Sequence, residues 1–196
     1  MAVVRKGFSK ILKRLYDSID NVGKLGAMAA VTGMTVTEDG FGANRKTIFT
    51  FTAAPLALID AAGVVARTAP KIYDFPIGSI KIGGAVANLA LTKSSAGVNT
   101  DWDGDFSVGT APAAADATLT ATEANIIPST ATPQAVAGAT TAKGRNAADI
   151  APFDGAAAVT PLYLNFLVDD ADQDVTTTPC NLIVNGTLTV HWTNFA

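Results

Sequence analysis

The chain has 196 residues, with fourteen Lys and Arg against seventeen Asp and Glu, a net charge of −3 and a pI near 5.0. That balance excludes a nucleic-acid binder acting through overall electrostatics. The single cysteine, Cys180, excludes an internal disulfide framework and a cysteine-based zinc site.

Hydrophobic residues make up 48% of the chain but aromatics only 7%, and much of the apolar share is alanine, which buries little area. The length fits one domain, or one domain with an appendage, and the composition predicts an extended or thin sandwich stabilised partly by neighbouring subunits. No run of about 20 apolar residues exists, so no membrane span is expected. Nor does the N-terminus read as a signal peptide, because Arg5, Lys6, Lys10, Lys13 and Arg14 interrupt it.

In the first segment Phe8, Ile11, Leu12, Leu15 and Ile19 follow the spacing of one helix face. The spacing predicts a basic amphipathic α-helix from about Gly7 to Asn21, ended by Asn21 and Gly23. Residues 1–26 thus form an arm. Such a helix suits an anionic surface, nucleic acid or an acidic groove, or a resting place on its own domain or a neighbouring subunit.

Beyond Gly26 the helical rhythm stops, and residues 27–196 read as a mainly β domain. Thr35–Glu38 and Thr47–Thr52 favour strands, with Phe49 and Phe51 on one face. Lys71–Phe75 and Ile77–Ile82 flank Pro76, an edge or bend signal, and Gly83-Gly84 marks a turn or bulge before Ala85–Thr92. Short strands between frequent turn signals predict an antiparallel β-sandwich, and no repeat of fixed period points to a solenoid or propeller.

From about 110 to 158 the chain is rich in Ala and Thr, with Pro112, Pro128, Pro133 and Pro152. It is too long for an ordinary loop. Either it is an excursion ordered by partner subunits, or it holds short elements of weak sequence signal; Thr122–Asn125 suits one helical turn.

Leu162–Val168 and Leu182–Trp192 then read as two strands around the acidic stretch Asp169–Asp174. In the second, Leu182, Val184, Leu188, Val190 and Trp192 share one face and Asn185, Thr187, Thr189, His191 and Thr193 the other. His191, the only histidine, and Cys180 are thereby placed in scaffold. Asn185-Gly186-Thr187 matches a glycosylation pattern but lies inside this strand.

Chemistry has few footholds. Asp101, Asp103 and Asp105, and Asp170, Asp172 and Asp174, start like calcium loops. Phe106 and Pro112, or Val175 and Asn181, stand where that loop needs Gly and Glu. The two stretches read as solvated turns, or as loops that join in space around a cation. Trp102, between Asp101 and Asp103, reads as an exposed aromatic or as a cap on a sheet edge. No phosphate loop, dinucleotide fingerprint or nucleophile elbow occurs. No catalytic, cofactor-binding or metal-binding residue is assigned, and the chain is poorly equipped to be an enzyme.

The blocks Leu89–Val98, Asp101–Gly109, Ile126–Ala135, Leu162–Asp172 and Thr178–Thr187 resemble a family of tailed-bacteriophage virion proteins. The resemblance covers roughly Gly78 to the C-terminus. It implies a capsid decoration, or cement, protein: a β-sandwich, often jelly-roll-like, that forms trimers and bridges major capsid protein subunits. It also implies a location on the outer capsid surface after synthesis in the host cytoplasm, with neither nucleic acid nor membrane as main partner. The rival reading is a calcium-assisted carbohydrate-binding sandwich using Trp102 and the acidic loops. On the cement reading, the basic arm is expected to lie against acidic capsid surface.

Overall fold

The computed structural model describes residues 26–41, 43–60, 65–114, 118–146, 150, 152–155, 158–174 and 179–195. The expected N-terminal helix falls outside the described residues. Among the described residues there is no α-helix, only strands and two short 3-10 turns.

Among the described residues thirteen strands build two antiparallel sheets that pack face to face. The first sheet contains β1 (Ala27–Met28), β4 (Ile59–Asp60), β5 (Val65–Thr68), β6 (Lys71–Phe75), β8 (Gly104–Gly109), β9 (Ile127–Thr132) and β12 (Thr160–Asp169). The second contains β2 (Met34–Phe41), β3 (Asn44–Ala57), β7 (Gly78–Lys93), β10 (Ala139–Arg145), β11 (Phe153–Gly155) and β13 (Asn181–Asn194). The chain passes from one sheet to the other at Pro76, which stands at the corner between β6 and β7.

The terminal strands β12 and β13 do not pair with each other. β12 is central in the first sheet, between β5 with β6 on one side and β8 on the other; β13 is central in the second, between β3 and β7. All five apolar residues of the predicted inner face of β13 are buried. Leu162, Leu164, Phe166 and Val168 of β12 are buried too, and so are Asn165 and Leu167 on its other side. A strand covered on both faces has no reason to alternate, which accounts for the near-continuous apolar run.

The inner face is kept in phase by two bulges that flank β13. Residues 45, 47, 49 and 51 of β3 point inward, then residues 54 and 56 do. The change of parity is absorbed at Thr52-Ala53, opposite Asn185, where Ala53 adopts φ +48° and its N–H donates to Asn185 Oδ1 (2.8 Å). On the other flank, Gly83 is the extra residue that lets Ile82 and Ala85 both face the core. Between the bulges lies Gly186 at φ +117°, where an added Cβ would stand 2.2 Å from the Asn88 carbonyl oxygen.

Across the core runs a chain of aromatic contacts. Phe49 meets Tyr73 edge-on (5.6 Å between centroids), Tyr73 meets Phe75 (5.3 Å) and Phe75 meets Trp192 (5.3 Å). Trp192 Nε1 also donates to Thr47 Oγ1 (2.9 Å), so its one polar atom is satisfied. Tyr73 Oη donates to Glu38, which points inward from the edge strand β2, and Arg45 lies 3.8 Å from the same carboxylate. Burial and the Glu38 charge push the Tyr73 phenol well above its usual range.

The Ala/Thr-rich stretch is not an empty excursion. It holds a 3-10 turn (Ala121–Glu123), β9, β10 and β11. The β9–β10 hairpin turns at Ala137 and Gly138, both at positive φ, with Val136 and Ala139 exchanging backbone bonds. β9 thus edges one sheet and β10 the other.

Two outcomes test this architecture. Trp192→Ala should cost about 3–5 kcal/mol in urea denaturation, since it leaves a cavity in the aromatic chain and orphans Thr47. Deleting residues 187–196 should abolish cooperative melting, because β3 and β7 lose most of the strand that joins them; a soluble truncated chain with a sharp thermal transition would place β13 at the periphery.

Candidate functional site

The two acidic stretches meet at one end of the sandwich, beyond the end of β12 and the start of β8. Asp103 N–H donates to Asp172 Oδ2 (3.0 Å) and Asp169 N–H donates to the Asp103 carbonyl (3.3 Å). Asn99 binds the second loop through its own N–H to the Asp172 carbonyl (2.9 Å) and through Nδ2 to the Ala171 carbonyl (3.0 Å). Val98 and Gln173 form a bridge below. The two loops therefore join in space, mainly through backbone donors, and one of these bonds ties down the Asp172 carboxylate.

The electrostatics are those of crowded carboxylates. Desolvation, followed by the charges of Asp169 and Asp172 and hydrogen bonds to both, raises the Asp103 pKa above its ordinary 3.8. Desolvation and the Asp103 charge raise Asp105 as well. Yet among the described residues no group of three or more His, Cys, Asp or Glu side chains could hold a metal ion.

Trp102 corrects one expectation. It is buried at 1% exposure, and its Nε1 donates to the Gly138 carbonyl (3.1 Å) at the tip of the β9–β10 hairpin. The Trp102 carbonyl accepts from Ala135 N–H (2.8 Å). The indole is a pin between the acidic loop and the hairpin, and it offers no platform to a sugar ring.

The other single residues lie in scaffold. Cys180 is buried and donates through Sγ to the Gly97 carbonyl (2.8 Å); burial first of all raises its thiol pKa, away from thiolate reactivity. His191 is exposed on the outer face of β13, opposite Lys46 of β3 and Gly84 of β7. Asn185 spends its amide oxygen on the Ala53 bulge.

A polar knot escaped sequence reasoning. Residues 110–114 and 118–126 fold over part of the outer face of the first sheet, where Ala113 and Leu119 pack on Leu167 and Val65. Under them, Asn165 Oδ1 accepts from Ala113 N–H (2.9 Å), and its Nδ2 donates to the carbonyls of Ala111 (3.1 Å) and Glu123 (2.7 Å). Ser107 Oγ donates to the Glu123 carbonyl (2.7 Å). The buried Glu123 carboxylate accepts from Ala114 N–H (2.6 Å) and Thr120 N–H (3.0 Å). Thr120 and Glu123 have capping-box spacing, the one signal that marks this turn in the sequence. The knot binds the chain to itself and uses up its polar atoms.

Comparison with protein-family models, curated proteins and solved structures gives no match to this chain.

The acidic end yields a pH prediction. A carboxyl whose folded pKa is raised holds its proton more tightly folded than unfolded. Its contribution to stability is greatest below 3.8 and falls as pH rises through the raised value. Asp103→Asn should therefore be more stable than the parent chain at neutral pH, with the difference shrinking on acidification. Paired urea titrations check this, and a variant less stable at neutral pH would refute it.

Proposed function

We propose that this chain is a non-enzymatic structural subunit of a tailed-phage virion, a decoration protein whose function is contact with the major capsid protein. The observation that carries the reading is an asymmetry between the two outer faces. Part of the outer face of the first sheet, over Val65 and Leu167, is covered by the chain's own residues 110–114 and 118–126. That of the second is bare among the described residues: Thr187, Val86 and Asn88 are exposed in its central strands, Val86 at 57%.

Register lays this face out in rows. Thr37, Ile48, Thr189, Val86 and Arg145 are neighbours across five strands, and Thr35, Thr50, Thr187, Asn88 and Lys143 form the next row. Small and β-branched side chains make a flat surface that a protein partner can approach closely, without the concavity a substrate needs. Exposed Lys46, Lys81, Lys143 and Arg145 outnumber the single exposed acid of β2 on this face, Asp39. An acidic partner surface complements it. The resemblance to phage virion proteins supplies the partner, the trimeric state and the jelly-roll character as parts of the same proposal. The carbohydrate-binding alternative is less well supported, because its aromatic is buried.

Shells lacking the chain should take up the parent protein, and Val86→Glu should lower occupancy about tenfold at limiting concentration, as one buried like charge or unpaired carboxylate would. Undiminished occupancy by a folded Val86→Glu chain would move the contact to another face; failure of the parent to bind any shell would remove the decoration reading.

A further inference from the structure

A groove of about 420 Å³ runs along one side of the sandwich, between the open ends of the two sheets. Val31, Pro55, Leu56, Ile59 and Pro70 line it. Its floor is the last part of β3, which has lost its outer partner: β2 ends its pairing at Phe51, and Thr52 N–H is met by the Gly33 carbonyl. Leu58 N–H points towards β13, to the Cys180 carbonyl. By alternation Pro55 and Ala57 point outward, and Pro55 has no N–H to offer. An added strand would find little to bind. The groove instead presents apolar side chains, with Ile59 at 54% exposure.

The chain itself carries a segment of matching character. Residues 1–25 hold six cations and two acids, while the remaining residues hold eight cations and fifteen acids. The arm is thus basic and the body strongly acidic. Seven of the body's acids lie in the two stretches Asp101–Asp105 and Asp169–Asp174. Asp169 sits at the end of β12, two strands across from the Ile59–Asp60 pairing, or about 10 Å at normal strand spacing. An amphipathic segment whose apolar residues enter the groove has its cations beside that acidic end.

At Gly26 the backbone runs away from the groove of its own copy. Ala27 pairs with Asp74 and Met28 with Tyr73, while Ala29 N–H donates to the Ile72 carbonyl. Going back towards Gly26, the chain therefore moves along β6 away from Pro70, by roughly 16 Å over five residues.

We infer that the basic arm, residues 1–24, of one copy seats its apolar side (Phe8, Ile11, Leu12, Leu15) in the groove of a second copy. The contact joins the acidic, grooved end of one body to the arm issuing from the far end of the next. Such a head-to-tail contact either closes into a ring or continues as a filament, according to its rotation. It goes beyond the decoration reading and does not require a capsid.

The test is the mass of the full chain in solution by light scattering. The parent should be an oligomer whose dissociation constant rises as NaCl goes from about 0.05 M to about 0.5 M, because an arm–acid contact is screened. Ile59→Asp and, separately, Leu12→Asp should each weaken assembly at least about tenfold while the β-sheet circular dichroism is retained. Ile59 is already more than half exposed, so the first change spares the core. Mixing Leu15→Cys chains with Ile59→Cys chains should yield a disulfide-linked pair, the native Cys180 being buried. A monomeric parent, assembly unchanged in both Asp variants, or a Leu15–Ile59 crosslink formed only within one doubly substituted chain would overturn the inference.

Discussion

Two central strands, one in each sheet, hold the rest of this fold in place. β12 and β13 belong to different sheets, and each is the strand on which its neighbours are aligned. The aromatic chain from Phe49 through Tyr73 and Phe75 to Trp192 fastens one sheet to the other. A chain with only 7% aromatics concentrates four of them here, where edge-on contacts add to the area each ring buries. Elsewhere in the core the thickness is filled by Leu, Ile, Val and Ala, and Phe106 with Phe166 supplies a second, smaller stack.

The edges follow from the same constraint. A sheet that is not closed must protect its outer strands. β2 turns the Glu38 carboxylate inward to Tyr73, β3 puts Pro55 where an outward N–H would stand, and the β9–β10 hairpin spans both sheets on the opposite side. Among the described residues, the broad outer face of the second sheet is left uncovered. The chain's polar groups of unusual environment are spent on these seals: Asn165 and Glu123 hold the cover of the first sheet, and Trp102 holds the hairpin tip.

How much of this was legible in the sequence depends on how far each signal had to travel. The inner face of β13 could be read directly, since alternation is a local consequence of strand geometry. The Gly83-Gly84 bulge was marked by its glycines, whereas the Ala53 bulge left no mark, because its positive φ is enforced by Asn185 from a different strand. β9 and β10 were hidden by composition. Their small side chains bury little, and order comes from pairing with β8 and β7. The exposed reading of Trp102 fails for the same reason in reverse: its neighbours in sequence are carboxylates, but its partner Gly138 lies thirty-six residues away. The meeting of the acidic loops was legible as one of two options, and only tertiary pairing of Val98 with Gln173 decides between them.

Native-state hydrogen exchange tests most directly whether the two central strands carry the fold. The account predicts that amides of β12 and β13 exchange last, through global unfolding alone, while β2, the β9–β10 hairpin and the 110–126 cover exchange earlier through local opening. Loss of β13 protection while the hairpin or β2 remains protected would contradict it.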